Sequence, residues 1–63
     1  MKKTWIYNGV EYTMIQTGYG QYTLNGYHCT DSEIFDWCDD EENEEKHMQA
    51  LRDAEAFINW VEY

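Results

Sequence analysis

The sequence predicts an α+β fold in which a C-terminal helix packs on one face of an antiparallel β-meander. Two pairs, Asn8-Gly9 and Asn25-Gly26, separate short β-prone runs, and Asn-Gly is the strongest short-range signal of a tight hairpin. Apolar residues then recur at the i, i+3, i+4, i+7 spacing of a helix through the last third of the chain. A chain of 63 residues without proline or a linker is expected to form one domain, residues 1–63.

The first hairpin is predicted around Asn8-Gly9. A type I′ turn needs positive φ at both central residues, which Asn and Gly adopt at low cost. With a two-residue loop, Tyr7 faces Val10 across the hairpin, and the apolar side chains of both strands share one face. Lys3 is assigned to the opposite face.

The second turn is predicted at residues 18–20. A three-residue loop pairs Met14 with Leu24 and keeps the apolar face continuous. A two-residue loop pairs Leu24 with Ile15 instead, and fits a single core face less well. With the second Asn-Gly turn, the result is three strands and a short fourth strand over about residues 3–29. The predicted core face of this meander consists of Trp5, Tyr7, Val10, Tyr12, Met14, Tyr22, Leu24, Tyr27 and Cys29.

A short helix is predicted over residues 31–38. Thr30 and Glu33 match a capping box, in which the threonine side chain accepts a hydrogen bond from the first turn and the glutamate reaches back. The apolar residues that follow stand at helical spacing. A short strand over residues 34–37 is the competing interpretation.

The long C-terminal helix is predicted over residues 40–61, with Asp39 or Asp40 as its N-cap. Acidic residues in its first turn complement the helix dipole. Its apolar residues fall on one arc of a helical wheel, which is typical of a helix with one face in a core. This arc consists of His47, Ala50, Leu51, Ala54, Phe57, Ile58 and Val61.

The charge of the chain is strongly negative and unevenly distributed. The formal net charge is −9, and residues 31–63 carry twelve acids against Lys46 and Arg52. Such a field repels nucleic acid and anionic membranes and attracts basic surfaces. The charge therefore argues against direct binding to nucleic acid or to a membrane. It favours a protein partner with a basic surface.

No apolar run is long enough for a signal peptide or for a membrane span. The sequence therefore predicts a cytoplasmic protein, and the two cysteines fit that compartment as free thiols, with a Cys29–Cys38 disulfide or metal binding as the alternatives.

The residues 36–45 form the first functional candidate, because seven of these ten residues are acidic. A solvated helix start that keeps a small protein soluble has the same composition. A rigid array of carboxylates, however, imitates the phosphates of a duplex and docks on a basic groove. The predicted partner-binding carboxylates are Asp36, Asp39, Asp40, Glu41, Glu42, Glu44 and Glu45.

Aromatic residues are the second candidate. Tyr19, Trp37 and Trp60 are predicted apolar anchors beside the carboxylates, because Trp and Tyr dominate binding hot spots. The alternative is that aromatic residues only fill a thin core. Ile6 and Ile15 fall on the outer sheet face, and together with Trp60 they equally fit a homodimer contact.

These patterns favour a small acidic inhibitor that docks on the nucleic-acid-binding surface of a partner protein, as a monomer or homodimer. In size and charge the chain resembles the small acidic proteins with which phages block host nucleases, such as anti-restriction and anti-CRISPR proteins. The resemblance is one of composition and not of motif.

A zinc-stapled structural domain is the alternative function, with His28, Cys29, Cys38 and His47 as ligands. The spacing of these four residues matches no familiar zinc finger, and no cofactor is predicted otherwise. An enzyme is not predicted, because the chain scarcely builds a deep groove and thiolate chemistry needs positive surroundings.

Overall fold

The structure is a computed structural model that describes residues 1–62, apart from the side chains of residues 44–48. It confirms the predicted α+β fold, and both helices begin and end within one residue of the predicted bounds. The four strands form one antiparallel sheet in the order β1-β2-β3-β4. The elements are β1 (Lys2–Tyr7), β2 (Val10–Gly18), β3 (Gln21–Leu24), β4 (Tyr27–Thr30), α1 (Asp31–Asp39) and α2 (Glu41–Glu62).

Both Asn-Gly pairs form the predicted tight turns. Asn8 and Asn25 each have a φ of 51°, and the glycines that follow have φ of 77° and 81°. Positive φ at both central positions is what a type I′ turn requires, and its twist matches that of the flanking strands. The predicted pairing of Tyr7 with Val10 is confirmed, as is that of Leu24 with Tyr27.

The turn between β2 and β3 combines both predicted loop lengths. Gly18 pairs with Gln21, so only two residues form the tip. One extra residue in β2, between Gln16 and Gly18, then shifts the register. As a result Met14 pairs with Leu24, as predicted for a three-residue loop. The bulge therefore restores the continuous apolar face.

The helix α1 begins directly after the sheet. The Thr30 hydroxyl accepts a hydrogen bond from the Glu33 amide at 3.2 Å, and it also lies 3.3 Å from the Glu33 carboxylate. This confirms Thr30 as the N-cap and places residues 34–37 in a helix. The competing strand at 34–37 is wrong, because α1 buries Ile34 and Cys38 on one helical face.

Asp40 joins the two helices. Its amide donates to the Trp37 carbonyl at 3.2 Å, which closes α1. Its Oδ1 accepts from the amides of Glu42 at 2.9 Å and Asn43 at 3.3 Å, which opens α2. Asp40, and not Asp39, is therefore the N-cap of α2. A single residue is enough to connect the two helices, because Asp40 is both the C-cap of α1 and the N-cap of α2.

Both helices pack on one face of the sheet. The predicted arc of α2 is confirmed from Ala50 to Ile58, Val61 is partly buried, and the side chain of His47 lies outside the described part of the chain. The buried apolar residues are Met14, Tyr22, Cys29, Ile34, Cys38, Ala50, Leu51, Ala54, Phe57 and Ile58.

The predicted core face of the sheet is wrong at two positions. Val10 is 50% exposed and Tyr27 is 64% exposed, although strand alternation places both on the helix side. Each directly follows an Asn-Gly turn, at an end of the sheet that the helices do not fully cover. The assignment of Lys3 to the outer face is also wrong, because Lys3 pairs with Met14 and cross-strand partners share a face. Ile6 and Ile15 are exposed, as predicted for the outer face.

The other end of the sheet holds the end of α2. The Glu62 carboxylate accepts hydrogen bonds from the Gly20 amide at 2.6 Å and from the Gln16 side chain at 3.0 Å. The Gly20 carbonyl in turn accepts from the Asp31 amide at 3.1 Å. The helix α1 therefore starts beside the β2–β3 turn, and α2 returns to that turn. The junction between the helices lies at the opposite end of the molecule.

Candidate partner-binding surface

Five exposed carboxylates surround the junction between α1 and α2, and we call this group the acidic corner. Asp36 and Asp39 lie in the last turn of α1, and Asp40, Glu41 and Glu42 cap and open α2. The structure therefore brings together five of the seven predicted carboxylates. Glu44 and Glu45 follow along α2, and their side chains lie outside the described part of the chain.

The acidic corner is held by the folded domain. On one side, α1 is anchored by Ile34 and Cys38, both of which belong to the core cluster. On the other side, Asp40 fixes the first turn of α2 through its two backbone hydrogen bonds. The carboxylates of the acidic corner are thus carried on backbone positions that the core and the Asp40 cap determine.

Helix electrostatics favour some of these carboxylates and disfavour others. Glu41 and Glu42 occupy the first turn of α2, where the positive end of the helix dipole stabilises negative charge. Asp36 and Asp39 occupy the last turn of α1, which contains no basic residue. There the negative end of the dipole opposes them. The dipole of α1 therefore does not stabilise negative charge at these two positions.

An aromatic groove of about 390 Å³ borders the acidic corner. Tyr27 and Trp37 form one wall, with ring centroids 6.2 Å apart. On the other side, Tyr12 is stacked on Trp5 at 5.9 Å. The residues that line the aromatic groove are Tyr12, Leu24, Tyr27, Trp37, Asn43, Ala50 and Leu51. Trp37 and Asn43 flank the helix junction in sequence, so this end of the groove lies beside the acidic corner, although no described carboxylate lines the groove itself.

Only one of the three predicted aromatic anchors lies at the acidic corner. Trp37 lines the aromatic groove. Tyr19, which is 79% exposed, lies at the β2–β3 turn, and Trp60, which is 72% exposed, lies near the end of α2. Both are at the opposite end of the molecule. Tyr27, which was not a predicted anchor, lines the aromatic groove instead. It directly follows the Asn25-Gly26 turn, and this position was the sequence signal that its side chain lies at an end of the sheet.

A second groove, of about 430 Å³, lies at the opposite end and is lined by Lys2, Lys3, Phe57 and Trp60. We call it the lysine groove. The rings of Phe57 and Trp60 are 6.3 Å apart. Both grooves therefore have aromatic walls, but one borders carboxylates and the other is lined by ammonium groups.

The two cysteines are free thiols in the core. Burial, with a smaller contribution from the Glu33 carboxylate, raises the pKa of Cys29 to about 11. Burial and a hydrogen bond to Glu55 raise the pKa of Cys38 to about 12. Both thiols are therefore protonated at neutral pH, which is the opposite of what a nucleophilic cysteine requires.

The residues of the predicted zinc site do not share one surface. Cys29 points into the core, whereas its neighbour His28 is exposed, as strand alternation requires. Within the described side chains, no group of three or more His, Cys, Asp and Glu residues is arranged to hold a metal ion. The side chain of His47, the remaining predicted ligand, lies outside that description.

Alkaline pH is expected to destabilise the domain through these thiols. Their pKa values are higher in the folded than in the unfolded chain, so the stability they contribute is complete below about pH 9 and declines towards pH 11–12. Denaturant unfolding at several pH values between about 8 and 10.5 measures this decline. The variant with Cys29→Ala and Cys38→Ala retains the tyrosine and lysine titrations and should show a shallower slope. Equal slopes would contradict the assignment.

Neither a membrane-spanning helix nor a relative among known proteins is found for the described chain. No described helix is both long and apolar enough to cross a membrane. Searches with models of known protein families, against curated proteins and against solved structures give no significant match to this chain.

Proposed function

We propose that this protein is an inhibitor that binds a basic, nucleic-acid-binding surface of a partner protein through its acidic corner. Five exposed carboxylates at the helix junction support this proposal, above all the pair at the end of α1. Asp36 and Asp39 stand where the dipole of α1 disfavours them, so this helix itself offers no explanation for their charge. A cationic partner provides one.

The acidic corner lies in a part of the sequence with few cations. No Lys or Arg occurs between residues 4 and 45, and Arg52 of α2, whose charge lowers the pKa of Cys38, is a single cation beside five carboxylates. Nucleic-acid-binding surfaces use Lys and Arg to neutralise phosphates. Carboxylates held at fixed positions occupy such a surface in place of phosphates, and the complex is expected to weaken as salt screens the charges.

The aromatic groove contributes apolar area beside the charges. Interfaces commonly combine a buried aromatic centre with a polar rim, and charge at the rim selects the partner. Tyr27 and Trp37 provide such a centre next to the acidic corner. The combination favours a protein partner over a small cation, because a small cation has no use for the apolar area.

Neutralising the end of α1 tests the proposal, because it should change stability and affinity in opposite directions. The variant with Asp36→Asn and Asp39→Asn removes charges that oppose the helix dipole, so the free energy of unfolding should rise by about 0.3–1 kcal/mol per charge. Affinity for the partner should fall by about two- to thirtyfold, since exposed ion pairs contribute roughly 0.2–1 kcal/mol each and two are removed. Chemical denaturation and binding titrations at low salt measure the two effects.

The matched control carries Glu11→Gln and Asp53→Asn, which changes the net charge equally but away from the acidic corner. Partners are captured at low salt, released by a salt step and identified, and their nucleic-acid binding is then measured with the inhibitor as competitor. The wild type and the control should displace the nucleic acid, and the corner variant should do so weakly. Equal displacement by all three proteins, or simultaneous binding of inhibitor and nucleic acid, would refute the proposal.

A further inference from the structure

We propose that the aromatic groove receives an arginine side chain of the partner. This inference rests on the proposed function and specifies its chemistry. The groove combines aromatic walls with nearby carboxylates, and a ligand that is both flat and cationic can interact with both. Its walls are aromatic, and its border is the acidic corner.

The size of the aromatic groove suits a single side chain. Its volume of about 390 Å³ lies near the lower end of ligand pockets, which span roughly 300–1,000 Å³. Leu24, Ala50 and Leu51 are the aliphatic residues of its lining, so the methylene stem of a long side chain loses no hydrogen bond by entering. The Asn43 amide is the polar group at the border with the helix junction.

The charge of the surroundings selects a cation. An anion entering the groove would meet the five carboxylates of the acidic corner, and a neutral apolar side chain would gain nothing from them. A cation over the face of Tyr27 or Trp37 is attracted by the ring quadrupole. We expect the N–H groups of such a cation to extend towards the carboxylates at the helix junction, which Trp37 precedes in the sequence.

Arginine fits this arrangement better than lysine. The guanidinium group is planar, stacks on aromatic faces and is more weakly hydrated than an ammonium group. It also presents several N–H donors in a fixed fork, which matches carboxylate geometry. Lysine offers a compact, strongly hydrated charge that gains less from the ring walls.

The lysine groove provides an internal comparison. It has aromatic walls formed by Phe57 and Trp60, but it is also lined by Lys2 and Lys3. An arginine that recognised only aromatic surface would bind both grooves. An arginine that also responds to charge is repelled by these two lysines. The proposal requires it to choose the aromatic groove.

A peptide titration tests this choice directly. The probe is a capped Gly-Arg-Gly tripeptide added to the uniformly labelled protein, followed by NMR chemical shifts at low salt. The arginine peptide should shift resonances of Tyr27 and Trp37 and leave Trp60 unaffected. The lysine peptide should bind more weakly, and a peptide with neutral citrulline in place of arginine should not bind. Equal shifts with arginine and citrulline, shifts centred on Trp60, or no shift with arginine would overturn the proposal.

A pair of matched variants provides the second test. Tyr27→Leu keeps an apolar side chain at an exposed position but removes one aromatic wall, and should weaken arginine binding about two- to fivefold. Tyr19→Leu makes the same change at a distant turn and should bind like the wild type. If Tyr27→Leu also binds like the wild type, the groove is not the arginine site. The proposed function is judged separately, by the variant with Asp36→Asn and Asp39→Asn in the displacement experiment.

Discussion

Phe57→Ala is expected to leave much of this domain unfolded at room temperature. Phe57 is 1% exposed, and its ring meets Tyr22 edge-to-face at 6.1 Å beneath the sheet. Truncating a buried phenylalanine costs about 3–5 kcal/mol, because the transfer free energy is lost and a cavity remains. A core in a chain of this length rarely supplies more than about 3–5 kcal/mol in total. The two quantities are comparable.

Far-ultraviolet circular dichroism and denaturant titration measure this loss. Trp60→Ala is the matched control, since it removes a larger aromatic side chain from the same helix, three residues away. Because Trp60 is 72% exposed, we expect that change to cost less than about 1 kcal/mol. A cooperative transition of Phe57→Ala close to that of the wild type would show that the helix does not pack on the sheet as described.

Glu62→Ala is expected to destabilise the domain by about 1–3 kcal/mol. The carboxylate is the acceptor for the amide of Gly20, a buried residue, and for the side chain of Gln16. Its removal leaves a buried N–H without that partner and detaches the end of α2 from the β2–β3 turn. Losing a charge-assisted hydrogen bond and stranding its donor each cost on this order.

Glu62→Gln separates the hydrogen bonds from the charge. The glutamine keeps an oxygen that can accept from the Gly20 amide, so its loss of stability should be clearly smaller than that of Glu62→Ala. Hydrogen exchange of the Gly20 amide gives a local measurement, and it should accelerate in Glu62→Ala before the core amides do. Identical stability of the alanine and glutamine variants would mean that the contact with Gly20 contributes little.

Local chemistry explains which parts of the fold the sequence predicts. The Asn-Gly turns determine two hairpin registers, because few other residues tolerate positive φ at both central positions. Thr30 and Asp40 determine where the helices begin, because their side chains cap the first amides. The bulge in β2 is different, since it follows from the need to keep Met14 and Tyr22 on the helix side.

The candidate site is predictable only in part. The acidic corner is visible in the sequence, because its residues are close neighbours along the chain. The aromatic groove is not visible in the sequence, because it depends on how much of the sheet near Tyr27 the two helices leave uncovered. Periodicity places Tyr27 on the correct face but does not show that the helices leave it uncovered. For the same reason, the sequence did not show that Tyr19 and Trp60 lie away from the acidic corner.

The positions of the charges at the two ends have a further consequence. Lys2 and Lys3 lie at the end of the sheet that holds the β2–β3 turn, whereas the five carboxylates of the acidic corner lie at the other end, where Arg52 is the cation whose charge acts on Cys38. The molecule therefore has an electric dipole along its length. A positive surface exerts a torque on such a dipole during diffusional approach and turns the negative pole forward. In the proposed complex, encounters would then begin with the acidic corner towards the basic surface and Trp60 on the far side.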